Sequence, residues 1–308
     1  MNLEQLTTED RNPASEAIDS LAPLEIVRLM NDEDARVAAA VRAEEQHIAR
    51  AIEVIAERLA RGGRLVYIGA GTSGRLGVLD ASECPPTFNS PPGQVVGLIA
   101  GGYTALMTAV EGAEDKPQAA ADDLAGIKLS DRDVLVGIAT SGRTPYVVGG
   151  LQFARSAGAF AIGLSCNADS EISRHADLTI TPVVGPEVVS GSTRLKAGTA
   201  TKLVLNMLST GAMVRLGKTY GNLMVDLQAK NQKLLDRTAR IVMHLTGLDR
   251  HAAEALLHRS GGDLKTAIVS HKLSISAEEA RQRLAAADGH LRKALEAAGG
   301  WAGPAEGI

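Results

Sequence analysis

Five short runs of apolar residues constrain the fold of this 308-residue chain more than any other feature. Each run is continuous rather than alternating in polarity, which is typical of strands that are buried on both faces. Stretches with helical periodicity separate the runs, and strands that alternate with helices build a parallel sheet. The sequence therefore predicts an α/β fold with a doubly wound five-stranded parallel sheet. Its strands are Leu65–Ile68, Val95–Ile99, Val134–Ile138, Phe160–Leu164 and Leu178–Ile180.

Helical patterns are also predicted before and after the sheet. Apolar residues at three- and four-residue steps indicate amphipathic helices from Pro23 to about Leu59, and a long helix is predicted from Thr193 to about Arg237. The segments after Ile241 predict three or four short helices. We therefore expect an α/β domain over residues 1–238 and a small helical bundle over residues 239–308. The first 20 residues are predicted to form an extended arm that packs on a partner chain.

Composition and charge exclude several classes of protein. The formal net charge is −4, and no run of Lys and Arg forms the basic surface that nucleic acid requires. The sequence contains no run of 18 apolar residues, the length that a membrane-spanning helix needs, and its polar N-terminus is unlike a signal peptide. We therefore expect a cytoplasmic protein. Cys84 and Cys166 lie far apart and are predicted to be reduced thiols. Neither a disulfide scaffold nor a zinc site is expected from their spacing.

One tetrapeptide occurs twice, each time directly after a predicted strand. Thr-Ser-Gly-Arg occupies residues 72–75 and again residues 140–143. Ligands of open α/β sheets bind outside the carboxyl ends of the strands, where loops lead into helices. Backbone N–H groups of a glycine-containing loop, hydroxyl groups and a helix N-terminus together favour an anion. The repeat therefore predicts a phosphate site, although capping of a helix by Ser or Thr is the simpler structural explanation for one copy.

The first loop also fits a dinucleotide-binding pattern. Gly69, Gly71 and Gly74 match G-x-G-x-x-G after a strand, which is a weak signal by itself. A dinucleotide site requires an acidic residue at the end of the second strand, but that strand leads into Ala100-Gly101-Gly102. A P-loop is excluded because no Gly-Lys-Ser/Thr follows the glycines. The pattern therefore favours a sugar phosphate over a nucleotide.

Two further features supply polar chemistry. The segment from Gly185 to Lys196 combines hydroxyl groups, a carboxylate and cations between the last strand and a long helix. Glu83, in Ser-Glu-Cys-Pro-Pro, and Glu114, in Glu-Gly-Ala-Glu-Asp, follow the first two strands. Glutamates at such places are most often surface residues. Two carboxylates with separated pKa values are nevertheless what successive proton transfers require.

Together these motifs resemble those of the N-acetylmuramic acid 6-phosphate etherases, which have the sugar isomerase (SIS) fold. The resemblance extends over most of residues 1–235. It rests on Gly69–Gly77, Asp80–Pro86, Gly97–Gly102, Val110–Asp115, Ser141–Tyr146, Gly185–Lys202, Asn206–Thr210 and Gly221–Asp226. It implies a carbon–oxygen lyase of amino sugar catabolism and peptidoglycan recycling that works as a homodimer without cofactor or metal. The implied reaction opens the sugar, removes the C2 proton, expels D-lactate from C3 and adds water.

The resemblance also implies roles for individual residues. Glu83 would protonate the departing lactate oxygen, and Glu114 would be the second catalytic carboxylate, acting as a base. Arg143 is a candidate partner for the lactyl carboxylate. The residues implied to bind substrate are Thr72, Ser73, Gly74, Thr140, Ser141, Arg143, Thr144, Glu187, Ser192, Thr193 and Lys196.

Two other functions use the same binding loops. A non-catalytic sugar-phosphate sensor of the glucokinase regulatory type would need neither Glu83 nor Glu114. An aldose–ketose isomerase would share phosphate binding and ring opening but would have no leaving group to protonate. Release of free lactate distinguishes the etherase from both.

Overall fold

The computed structural model describes residues 7–227 and 232–296, and its centre is a five-stranded parallel sheet. The strand order is β2-β1-β3-β4-β5. The strands are β1 Leu65–Gly69, β2 Val95–Ile99, β3 Val134–Ile138, β4 Phe160–Leu164 and β5 Leu178–Ile180. Every residue of β1 and β3 is buried, as continuous apolar runs require. The predicted α/β fold is confirmed.

Helices cover both faces of this sheet. Those up to the end of the α/β part are α1 Pro23–Asp34, α2 Val37–Ala43, α3 Glu45–Ala60, α4 Gly71–Phe88, α5 Thr104–Met107, α6 Pro117–Gly126, α7 Pro145–Ser156 and α8 Lys196–Arg215. Glycines mark where helices and strands approach most closely. A Cβ on Gly77 of α4 would lie 2.9 Å from the Cβ of Tyr67, and one on Gly137 would lie 2.8 Å from Val147 of α7. Tyr67 pairs with Val136, the neighbour of Gly137, so α4 and α7 pack on opposite faces.

We predict that Gly97→Ala destabilises the fold. A Cβ at Gly97 would lie 2.6 Å from the Cα of Val78, where backbone of β2 meets backbone of α4. Because a backbone cannot move aside as a flexible side chain can, we expect the free energy of unfolding to fall by about 1–3 kcal/mol. Urea denaturation measures this change. Gly126→Ala is the control, because nothing lies within 4 Å of its Cβ, and a gain of about 0.4–1 kcal/mol is expected there. Equal stabilities of the two variants would contradict the prediction.

The helix predicted from Thr193 to Arg237 is wrong in its second half. Helix α8 ends at Arg215, and a short antiparallel hairpin follows, with β6 Thr219–Tyr220 and β7 Leu223–Met224. Gly217 and Gly221 adopt positive φ angles of 71° and 55°, which end the helix and allow the hairpin turn. Because the flanking residues have helical periodicity, the sequence pattern does not indicate that the helix ends here.

The remaining described residues form short helices with their own apolar core. They are α9 Gln232–Thr246, α10 Arg250–Arg259, α11 Leu264–Leu273, α12 Ala277–Ala286 and α13 Leu291–Glu296. Asp249, Asp263 and Ser276 cap α10, α11 and α12 through their side chains. Residues 297–308 of the predicted bundle lie outside the described part. Among the helices of residues 7–227 and 232–296, none combines the length and apolar character that a membrane span needs.

The chain divides into two compact units. Among the described residues, the first consists of those up to Glu83 together with Pro92–Gly211, and contains the parallel sheet. The second consists of Cys84–Pro91 together with the described residues from Ala212 onward. A division into functional domains at residue 238, which falls within α9, stays a proposal.

The described part of the N-terminal segment packs against its own chain. Thr8 donates its N–H to Oδ1 of Asn167 at 3.4 Å, and Asn12 donates its side-chain amide to Oε2 of Glu33 at 2.9 Å. Asn167 follows β4, at the carboxyl edge of the sheet. From Thr7 onward the segment therefore covers this edge in its own chain, whereas the sequence predicts an arm on a partner. Residues 1–6 of the predicted arm lie outside the described residues.

Candidate active site

The first tetrapeptide lies in a helix rather than in a loop. Helix α4 begins at Gly71, two residues after β1, so Thr72 and Ser73 occupy its first turn. The first N–H groups of a helix have no acceptor within that helix, and they favour an anion. A Cβ on Gly74 would lie 2.6 Å from the carbonyl oxygen of Gly69 and from Cγ1 of Ile99. Gly74 therefore lets α4 start against the strand ends.

The second tetrapeptide lies between β3 and α7, where the structure has a tight loop. Gly142 has a φ of 71°, and a Cβ there would lie 2.2 Å from that of Ser170, so only glycine fits. The carbonyl oxygen of Thr140 accepts hydrogen bonds from the N–H of Cys166 and the side-chain amide of Asn167. Ser141 and Thr144 are partly exposed and Arg143 is exposed, so these side chains remain accessible to a ligand.

Glu114 is held next to both of these regions. Its backbone carbonyl oxygen accepts a hydrogen bond of 2.9 Å from the N–H of Tyr146, in the first turn of α7. Its side chain is exposed and lines a cavity of about 160 Å³ at the carboxyl ends of β1 and β2. The lining residues are Ala70, Gly71, Arg75, Ala100, Ala105, Ala109, Val110, Glu111, Gly112, Ala113 and Glu114.

Arg75 is a site residue that the sequence motifs did not single out. It is the one cation among the described residues that line this cavity, beside the carboxylates of Glu111 and Glu114. Its Nε donates to the carbonyl oxygen of Leu106 at 3.2 Å, and the structure gives it no ion pair with a described residue. The terminal nitrogens of the guanidinium are thus available to an anionic ligand. The repetition of the tetrapeptide was the available signal, since Arg75 and Arg143 end its two copies.

The side chains of Glu187 and Lys196 are buried at the start of α8. The Glu187 carboxylate accepts hydrogen bonds from the N–H groups of Lys196, at 3.0 Å, and Ala197, at 2.9 Å. Burial raises the pKa of Glu187, although these N–H groups act in the opposite direction. The Lys196 ammonium donates to Glu33, which also accepts from Asn12. Both residues line a second cavity of about 170 Å³ rather than the cavity of Glu114.

Thr193, in the turn before α8, lies close to the first tetrapeptide. A Cβ on Gly198, in the first turn of α8, would lie 3.6 Å from the carbonyl oxygen of Thr193 and 3.7 Å from Cγ2 of Thr72. Ser192 and Thr193 are both partly exposed. The turn before α8 and the first turn of α4 therefore form one continuous surface.

Glu83 is a further predicted site residue that the structure does not bring to this surface. Helix α4 is a single helix that runs through Pro85 and Pro86 to Phe88. Glu83 is exposed on its last part and does not line the cavity that holds Glu114.

Cysteine and metal chemistry receive little support from the described residues. Both cysteines remain thiols and are buried, and burial raises the pKa of Cys166 to about 12. No group of three or more His, Cys, Asp or Glu side chains that could hold a metal ion occurs within residues 7–227 and 232–296.

Known proteins match the chain over nearly its whole length. A family model described as the glucokinase regulatory protein N-terminal SIS domain matches residues 47–155, and a SIS domain model matches residues 116–211. The N-acetylmuramic acid 6-phosphate etherase of Rhodopirellula baltica is 60% identical over 293 residues, which is 95% of this chain and 97% of the relative. The chain belongs to the N-acetylmuramic acid 6-phosphate etherase family. A second etherase, from Salmonella choleraesuis, is 56% identical over 96% of the chain and 100% of the relative.

Solved structures similar to this etherase-family chain agree with its SIS fold. A phosphoheptose isomerase from Francisella tularensis aligns with a TM-score of 0.52 and 19% identity, over 63% of this chain and 100% of the other. At this identity the likeness shows the fold alone. The resemblance that the motifs predict is confirmed at the level of family and fold.

Proposed function

We propose that this chain is an N-acetylmuramic acid 6-phosphate etherase, a carbon–oxygen lyase that forms N-acetylglucosamine 6-phosphate and D-lactate from its substrate and water. The observation that carries the proposal is the 60% identity to an etherase over 95% of the chain. Glu114 and Arg75 at one cavity add the carboxylate and the cation that such a substrate requires. We further propose that the protein is cytoplasmic and works as a homodimer.

The reaction needs two proton transfers on one sugar. Opening the ring gives an aldehyde, and the C2 proton becomes acidic because the carbanion is conjugated with the carbonyl group. A base removes this proton, the C3–O bond breaks, and an acid protonates the departing lactate oxygen. Water then adds to C3 of the unsaturated aldehyde. We assign Glu114 as the base and Glu83 as the acid.

We propose that hydroxyl groups and helix N-termini near the carboxyl ends of the strands bind the phosphate. Thr72 and Ser73 contribute from the first turn of α4, while Ser141 and Thr144 contribute from the loop that precedes α7. Helix N-termini stabilise anions through their N–H groups and dipoles. Ser192 and Thr193 are assigned to the sugar.

In this proposal Glu187 and Lys196 do not bind the sugar but hold the backbone of the site in place. Both are buried, Glu187 at 0% and Lys196 at 2% exposure, so direct contact with a sugar would require the start of α8 to open. The Glu187 carboxylate instead accepts hydrogen bonds from N–H groups in the first turn of α8, and the Lys196 side chain connects that turn to Glu33. We propose them as positioning residues.

The proposal is tested by incubating the purified protein with N-acetylmuramic acid 6-phosphate. We expect D-lactate and N-acetylglucosamine 6-phosphate in equal amounts, measured by a D-lactate assay and by mass spectrometry. Binding without turnover would favour a sensor, and a ketose phosphate without lactate would favour an isomerase.

We propose Arg75, which lines the cavity of Glu114, as a second candidate besides Arg143 for binding the lactyl carboxylate. Arg75→Met is therefore expected to weaken recognition of the lactyl group. The guanidinium faces the cavity as a cation, and an Arg–carboxylate pair is a strong, charge-assisted contact. We expect kcat/KM for N-acetylmuramic acid 6-phosphate to fall by about 10–100-fold, in line with the loss of one charged hydrogen bond. Inhibition by N-acetylglucosamine 6-phosphate, which lacks the lactyl group, should be unchanged.

The control is Arg50→Met, which removes an exposed arginine that pairs with Glu53 on α3. It should leave both constants unchanged. If Arg75→Met weakened inhibition by N-acetylglucosamine 6-phosphate as much as turnover, Arg75 would contact a group common to both sugars, and the assignment to the lactyl carboxylate would fail.

A further inference from the structure

The part of α4 that carries Glu83 lacks two of the hydrogen bonds of a regular helix. Pro85 and Pro86 lie inside α4, two and three residues after Glu83. Proline has no N–H group, so neither residue can donate to the carbonyl oxygen four positions earlier. Those carbonyl groups belong to Ala81 and Ser82, which directly precede Glu83. The hydrogen bonds of α4 alone therefore hold the backbone around Glu83 less firmly than those of an uninterrupted helix would.

Asn89 ends α4 and ties its last turn to a side chain far along the sequence. It directly follows the helix and has a φ of 51°, a conformation that asparagine adopts more readily than most residues. Its N–H donates to the carbonyl oxygen of Pro85 at 3.0 Å. Its side-chain amide donates to Oδ1 of Asp226 at 3.2 Å. One residue therefore both ends the helix and connects that end to Asp226.

Asp226 is itself held firmly. Its Oδ2 accepts hydrogen bonds from the ammonium groups of Lys218, at 3.0 Å, and Lys265, at 2.9 Å. The three side chains are only 9–19% exposed. Burial raises the pKa of Asp226, but the two lysines lower it by more, so the pKa lies below its ordinary value and the carboxylate is charged at neutral pH. Asn89 is therefore bound to a charged, doubly paired carboxylate within the second compact unit.

We propose that Asn89 and Asp226 are positioning residues for Glu83, and that they hold the end of α4 so that Glu83 can protonate the departing lactate oxygen. The inference rests on the proposed function, in which Glu83 is the acid. Neither positioning residue touches the substrate. The motif Gly221–Asp226, which the binding and proton-transfer steps do not use, thereby acquires a role in the reaction.

The proposed base is held by other contacts. Glu114 accepts a backbone hydrogen bond from Tyr146, at the start of α7, and the end of α4 takes no part in this bond. Loss of the bond between Asn89 and Asp226 should therefore impair protonation of the departing lactate oxygen and spare removal of the C2 proton. The two steps can be measured separately, by D-lactate release and by exchange of the C2 proton in D₂O.

Asn89→Gly tests the inference, because glycine keeps the positive φ and removes the side-chain amide. We expect D-lactate release to fall by about 10–100-fold, since a displacement of about 1 Å can have an effect of this size. Exchange of the C2 proton in recovered substrate, followed by NMR, should persist, so the ratio of exchange to release should rise. This ratio does not depend on the folded fraction of the protein. Lys128→Gly, at a residue with a φ of 54° after α6, is the matched control and should behave as wild type.

Combination with Glu83→Gln shows whether Asn89 acts through Glu83. In the Glu83→Gln variant, Asn89→Gly should cause no further loss of lactate release, because the carboxyl group that it positions is already absent. Equal losses of C2 exchange and lactate release in Asn89→Gly, or the same fold loss with and without the Glu83 carboxyl group, would overturn the proposal. Unchanged lactate release in Asn89→Gly would overturn it too. Wild-type protein that releases no lactate would instead contradict the proposed function.

Discussion

Glu83→Gln is expected to lower kcat for D-lactate release by about 10²–10⁴-fold, the usual contribution of a general acid. Glutamine keeps the size of the side chain but cannot donate a carboxyl proton to the departing lactate oxygen. Glu83 is exposed on α4 and makes no hydrogen bond with a described residue, so folding should be unaffected. The free energy of unfolding in urea should stay within about 0.5 kcal/mol of the wild type.

Hydrogen exchange at C2 separates the two glutamates. In D₂O, Glu83→Gln should still exchange the C2 proton of the substrate, because the base remains, while lactate is retained. Glu114→Gln should lose both exchange and lactate release. Glu57→Gln, an exposed glutamate paired with Arg61, is the control and should behave as wild type. A Glu83→Gln variant with near-normal lactate release would remove Glu83 from the mechanism.

Lys196→Met is expected to cause the largest loss of stability among single substitutions near the site. Lys196 and Glu33 form an ion pair with side-chain exposures of 2% and 3%. Removing the cation leaves the Glu33 carboxylate buried with Asn12 and the exposed Arg36. Breaking a buried pair in this way costs about 3–5 kcal/mol. Denaturation in urea at pH 7 measures the loss.

The pH dependence of this loss has a definite sign. Burial raises the pKa of Glu33, but Lys196, Asn12 and Arg36 lower it by more, so the pKa lies below its ordinary value. Wild-type Glu33 therefore contributes stability above the unfolded pKa and loses it as the pH falls through the folded pKa. In Lys196→Met we expect burial to dominate and to raise the pKa of Glu33 above its ordinary value. The buried carboxyl then takes up a proton as the pH falls from about 7 towards about 4, and the deficit relative to wild type shrinks over this range.

Arg36→Met is the matched control, since Arg36 contacts the same carboxylate at 3.2 Å but is 70% exposed. An exposed ion pair contributes only about 0–1 kcal/mol. Comparable losses in Arg36→Met and Lys196→Met, or a Lys196→Met deficit that is constant from pH 7 to pH 4, would contradict this account.

The sheet could be predicted from the sequence because its signal is local. The run Val134–Ile138 is apolar throughout, and only a strand covered on both faces buries such a run within five residues. The end of α8 was missed because Gly217 and Gly221 interrupt residues that otherwise have helical periodicity. A single glycine in such a pattern does not by itself indicate a hairpin.

The candidate site could be predicted only in part. The tetrapeptides lie next to strand ends, so their position followed from the strand assignment. Glu33 and Lys196 are 163 positions apart, and no spacing rule links them. Glu83 belongs to a specific motif, yet its distance from the Glu114 cavity became evident only with the length of α4. The sequence motifs thus identified the side chains of the site, but the distances between these side chains depend on how the helices pack on the sheet.

We propose that this chain cleaves the lactyl ether by elimination and hydration at a site that contains Glu83 and Glu114. The most direct test is turnover of N-acetylmuramic acid 6-phosphate in H₂¹⁸O, with mass spectrometry of both products. We predict one ¹⁸O at C3 of N-acetylglucosamine 6-phosphate, and D-lactate whose ether-derived hydroxyl oxygen is unlabelled. Label in that lactate hydroxyl, or no lactate from folded protein that binds the substrate, would contradict it.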